Sequence, residues 1–136
     1  MRSLAQRLIG EEQHFGGSAN GDGPPAFRVC NKLQGSLSTL VGTRGFRTLL
    51  VRALALAAAE ATWLGRLDVG ANGTVLFPTE LEREIEPKEV AKGGMALVAH
   101  LLELLEILVG EALTRRLLHQ VWPKAALSDS KSGPKT

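Results

Sequence analysis

Apolar residues crowd one stretch of this chain more than any other. From Met95 to Trp122 (MALVAHLLELLEILVGEALTRRLLHQVW), Leu97, Val98, Leu101, Leu102, Leu104, Leu105, Ile107, Leu108, Val109, Ala112 and Leu113 occupy most of a helical circumference. His100, Glu103, Glu106, Gly110 and Thr114 leave only a narrow polar stripe. A helix apolar nearly all round lies inside a protein or inside a bilayer. A spanning helix needs about 20 consecutive apolar residues, and an acidic side chain at the bilayer centre costs roughly 2.5–3.5 kcal/mol on insertion scales. Glu103, Glu106 and Glu111 interrupt the run. The pattern therefore predicts one long, central helix in a protein interior, and no membrane span.

At 1.5 Å per residue that helix is about 40 Å long, while a compact chain of 136 residues is about 36 Å across. The remaining segments are short, so a second copy or a protein partner is expected to complete the cover of its apolar girth. Leu101, Leu105 and Leu108 are the candidate oligomer interface.

Ahead of this helix the pattern changes several times. Leu4, Leu8 and Ile9, with Ser3 as a cap, predict a short helix of low stability ending near Phe15. The following GGSANGDGPP reads as a flexible linker, because its glycines raise backbone entropy and Pro24 and Pro25 block helix propagation. The first helix is thus expected to be mobile or to dock on a neighbouring chain. Phe27, Cys30, Leu33, Leu37 and Leu40 then fall on one helical face, with Gly42 as terminator. A further helix opens at Thr43 and carries Phe46, Leu49, Leu50, Ala53, Leu54, Ala57, Ala61 and Leu64 on a broad apolar face. Its alanine run combines high helix propensity with room for a close neighbour.

In LDVGANGTVLF, Asn72-Gly73 suits a two-residue type I′ turn and predicts a small β-hairpin. Thr79 with Glu82 is a capping-box pattern opening a short acidic helix. Pro87 begins the next element, and Gly93-Gly94 is a weak point where the long helix starts or bends. The expected fold is all-α: a helical bundle of three main helices over 26–41, 43–67 and 88–122, with a small β-hairpin insertion. Residues 1–25 form a short helix and linker, 26–123 the bundle, and 124–136 a polar tail expected to be disordered.

Composition changes this picture little. The length fits one domain, and with 44% hydrophobic but only 4% aromatic residues the core rests on Leu, Ala and Val. A net charge of +2 and a pI near 9.0 are too mild to argue for nucleic acid. One cysteine, Cys30, precludes an intramolecular disulfide, and no apolar targeting segment precedes Glu11 and Glu12. The expected setting is cytoplasmic.

Candidate chemistry is sparse. His100, Glu103 and Glu106 follow one another at helical spacing and form a candidate metal stripe. Their His-x-x-Glu order reverses the pattern of di-metal bundles, and Glu60 is the one carboxylate between Arg28 and Arg66. His100 as a phosphoryl acceptor is opposed by the acidic residues one turn on. No acidic residue lies between Asp22 and Glu60, where Arg28, Lys32, Arg44, Arg47 and Arg52 all fall. Arg44, Arg47 and Arg52 are thus candidate anion-binding residues, for phosphate or nucleic acid. Against them stand the scarcity of aromatic residues and the five glutamates between 80 and 89, which neutralise the segment. Cys30 on an apolar face reads as a small buried hydrophobe. A calcium loop at Asp68, a P-loop and a Gly-x-Ser-x-Gly elbow all fail on residues they require. No catalytic residue and no cofactor is expected.

The segments VCNKLQGSLSTLVG, GFRTLLVRALALAAAEA and LVGEALTRRLLHQVWPKAAL resemble a group of small uncharacterised bacterial helical proteins. The resemblance covers most of the chain after the linker. It implies a bacterial cytoplasmic setting and supplies no activity, cofactor or site residue.

Overall fold

A computed structural model describes residues 2–15, 25–70, 73, 75–76 and 79–122. The elements in order are α1 (Arg2–Phe15), α2 (Pro25–Ala58), a 3-10 turn (Thr62–Arg66), β1 (Asp68–Val69), β2 (Val75–Leu76), α3 (Thr79–Glu84), α4 (Pro87–Val109) and α5 (Glu111–Val121). The fold is an all-α bundle. None of the described helices is long and apolar enough to cross a membrane. The linker segment 16–24 and the tail 124–136 lie outside the described residues.

The frame is set by one glycine. Gly42 takes φ 84° and ψ 157° in the middle of α2, a backbone region open to glycine and strained for other residues. A straight helix of 34 residues would be about 51 Å long. Instead its start meets the turn that follows its end: the rings of Phe27 and Trp63 stand edge to face with centroids 6.4 Å apart. Ala26 and Ala61 also touch the adjacent residues Gly94 and Gly93 of α4. α2 is therefore a helical hairpin whose two arms, 25–41 and 43–58, lie side by side. The terminator expected at Gly42 is where the chain reverses.

α4 seals the open side of this hairpin. Gly93, Gly94, Ala96, Leu97, Val98, Ala99, Leu101, Leu102 and Leu105 are its buried residues, packed with Phe27, Leu33, Leu37, Phe46, Leu50, Ala53 and Ala57 in one core. Small residues on both sides let the helices approach closely, as the alanine run predicts. The glycine pair was expected to start or bend the helix. It lies inside a continuous α4 instead, at the point of closest approach.

Three further expectations are corrected. The long helix does not run unbroken to Trp122: Gly110, at φ 92°, ends α4 and starts α5, and its N–H donates to Glu106 O at 2.8 Å. The buried Thr114 hydroxyl donates back to Gly110 O at 2.7 Å, which holds the corner. α1 docks on its own chain, with Ala5 and Leu8 fully buried against α2 and α4. The second long helix stops at Ala58 rather than near residue 67, giving way to the 3-10 turn.

The β-hairpin insertion is not built as expected. The antiparallel contact joins two residues per strand, Asp68 with Leu76 and Val69 with Val75, so five residues intervene rather than two. Asn72 lies outside the described residues, as do the side chains of the expected cap pair Thr79 and Glu82. Gly73, at φ 87°, donates from its N–H to Gly70 O at 2.9 Å. Asn31 Oδ1 accepts from Val75 N at 3.4 Å and ties the segment to α2.

Candidate functional site

His100 sits on α4 at the edge of the core, one fifth exposed, between two carboxylates. Its Nε2 is 2.9 Å from Glu60 Oε2 and its Nδ1 is 3.3 Å from Glu103 Oε1. Both nitrogens donate at once only in the protonated ring; the neutral ring donates to one carboxylate alone. Glu103 reaches the ring because it lies one turn on. Glu60 reaches it because the second arm of α2 ends there, forty residues away in sequence. Sequence reasoning missed this partner, although its isolation among basic residues was a signal.

That arrangement bears on the chemistry proposed for His100. Two carboxylates facing the ring repel a phosphoryl group. The Glu106 side chain makes no hydrogen bond or ion pair among the described residues, so it does not join the His100–Glu103 contact. Among the described residues no three His, Cys, Asp or Glu side chains form a group suited to a metal ion. The cluster is a polar staple between the turn that follows α2 and the middle of α4.

The arginines of the basic segment spread over a wide arc of their helix. Successive residues turn by about 100° around a helix, so Arg44 and Arg47 lie about 60° apart while Arg52 lies about 140° from Arg47. Arg47 Nε donates to Gly70 O at 3.3 Å, and Thr48 Oγ1 donates to Arg44 O at 2.9 Å. Arg44, Arg47 and Arg52 are all exposed.

The three leucines proposed as an interface are divided. Leu101 and Leu105 are fully buried within their own chain, and only Leu108, at 55% exposure, is open to a partner. Leu101 and Leu105 belong to the core that α4 shares with the rest of its own chain. Leu40, Val51, Leu56 and Ile107 are also exposed, Ile107 to 82%. Sequence reasoning placed Leu40 on a buried face; it lies beside the reversal at Gly42, where the arm runs out of cover.

Cys30 has no nucleophilic character. It is fully buried, and burial alone pushes its thiol up to about 12. At pH 8 roughly one thiol in ten thousand is ionised at such a value, and the sulfur is closed to reagents. The native protein is expected to leave Cys30 unmodified by an aromatic disulfide at pH 8, with one thiol titrating once denaturant is added. Rapid labelling of the native protein would remove Cys30 from the core.

An open cleft of about 360 Å³ lies between the second arm of α2 and residues 64–69. Arg47, Val51, Ala55 and Ala58 line it from the helix at helical spacing, and Leu64, Leu67, Asp68 and Val69 from the opposite side. No family model, curated protein or solved structure matches the chain.

Proposed function

We propose that this protein is a non-enzymatic helical module that acts by self-association. The observation that carries the reading is the set of large apolar side chains left in water, Val51, Leu56, Ile107 and Leu108 above all. Scattered single exposures are ordinary on a protein surface. Here two adjacent residues at the end of α4 and a cleft-lining valine on α2 remain exposed although the core is otherwise complete. Apolar area of this kind gains roughly 25 cal/mol per Å² when a partner removes it from water.

The polar groups support the same reading. His100 is held by carboxylates and Cys30 is buried, so among the described residues the surface offers contact area rather than reactive groups. The resemblance of three segments to small bacterial proteins supports a cytoplasmic site of action. Sedimentation velocity over a range of concentrations tests the proposal. A species heavier than the 14.5 kDa chain, growing with concentration, is the expected result. A species of chain mass from micromolar to near-millimolar protein would overturn it.

A further inference from the structure

We infer that the cleft on the second arm of α2 is the self-association surface, and that two copies meet there about a two-fold axis. The inference rests on the reading of the protein as a self-associating module and names the surface that reading requires. The first argument is shape. Val51 and Ala55 are exposed one turn apart, with Arg47 one turn before them and Ala58 beyond. Together they make a stripe with small residues at its centre, which lets a second helix approach closely. Leu67 and Val69 form the opposite wall, so an incoming side chain meets apolar surface on two sides.

Charge identifies the occupant. The rim of the cleft carries one cation, Arg47, and one anion, Asp68. Both are exposed, and among the described residues neither forms an ion pair within the chain. Arg47 uses Nε on the Gly70 carbonyl, and its terminal guanidinium nitrogens remain available. A patch with a single sign of charge repels its own copy. A patch with one of each, beside an apolar centre, is complementary to itself, because a two-fold axis sets each residue i against j and each j against i. Two Arg47–Asp68 pairs would then form across the interface, with Val51 and Ala55 of the two copies between them.

A small ligand fits the cleft less well. Such ligands bury most of their surface in concave sites with several convergent polar groups, whereas this cleft is open and its two charged groups are of opposite sign. A crossing of two short helical stripes buries less than the roughly 800 Å² a side of a standard interface. The assembly expected is therefore a reversible dimer whose population rises with concentration.

The test is charge reversal read by sedimentation equilibrium, with circular dichroism confirming the fold of each variant. Arg47→Glu alone sets two acidic groups against each other across the axis, and Asp68→Lys alone sets two basic ones. Each is expected to weaken self-association about tenfold or more, and the double variant to restore it to within about threefold of the native chain. Val51→Lys is expected to dissociate the dimer, and to do so more completely than Ile107→Lys at the other apolar site. Loss of association in Ile107→Lys but not in Val51→Lys would overturn the assignment while leaving self-association standing. Indifference to all the charge variants would do the same. A native chain that never exceeds its own mass would overturn both readings together.

Discussion

Leu101→Asp is expected to abolish folding, whereas Ile107→Asp, six residues further along the same helix, is tolerated. Leu101 is fully buried where α4 meets the α2 hairpin, and Ile107 is 82% exposed. Truncating a buried leucine to alanine costs about 2–5 kcal/mol through lost transfer energy and the cavity left behind. Aspartate removes the same contacts and adds a buried charge without a partner, which brings the loss to about 5 kcal/mol or more. The whole folding free energy of a domain is about 5–15 kcal/mol, so this single change consumes a large part of it. At Ile107 an aspartate stays in water; the cost is lower helix propensity and an unfavourable position near the helix C-terminus, within about 1 kcal/mol. Urea titrations followed by circular dichroism distinguish the two. The Leu101→Asp chain should lack a native baseline, Leu101→Ala should unfold at lower urea with an unchanged slope, and Ile107→Asp should overlay the native curve closely. Equal midpoints for the two aspartate variants would place the core elsewhere.

Much of the bundle was legible because helical periodicity reports which residues share a face. Phe27, Cys30, Leu33 and Leu37 were placed on one face and are all buried, and Gly42 was recognised as the end of that helix. What periodicity does not report is which element covers the face. For that reason Leu101 and Leu105 were grouped with Leu108 as a surface for a second chain, when the first two are fully buried in the core of their own chain. The Glu60 contact to His100 escaped for a related reason. It depends on where the second arm ends in space, and nothing within the local sequence of α4 announces it. Gly110 was hidden differently: flanked on both sides by helix formers, a lone glycine reads as a tolerated interior residue, and only its positive φ reveals the corner. The cleft was absent from sequence reasoning because it brings Asp68 near Arg47 only after residues 64–69 have folded back against the second arm of α2. The misses at Leu101, Glu60 and the cleft are long-range relations, and the correct expectations concerned a face or a break within about four turns of chain.

The glycine pair of α4 shows where a propensity argument gives the wrong sign. In an exposed helix interior, glycine to alanine stabilises by about 1 kcal/mol, because alanine restricts the unfolded backbone and favours the helix. Gly35 is such a site: it is exposed within α2, and a Cβ there meets nothing within 4 Å. Gly94 has the same helical backbone but a Cβ would stand 2.6 Å from Ala26 Cβ. Ala26 has no side-chain torsion with which to yield, so the two helices must move apart. At Gly93 a Cβ would meet the Trp63 ring at 2.5 Å and Ala61 Cβ at 3.2 Å, which again leaves little room to adjust. Overpacking of this kind costs about 1–3 kcal/mol or more, and here it outweighs the propensity gain because it pushes α4 away from the start of α2 at Gly94 and from Ala61 and the 3-10 turn at Gly93. Gly35→Ala is therefore expected to raise the melting temperature by a few degrees, and Gly94→Ala to lower it by roughly 5–10 °C. Gly93→Ala should fall on the same side as Gly94→Ala. If all three substitutions raised the melting temperature together, α4 would not lie against Ala26 and Ala61, and the helical hairpin would have to close on some other surface.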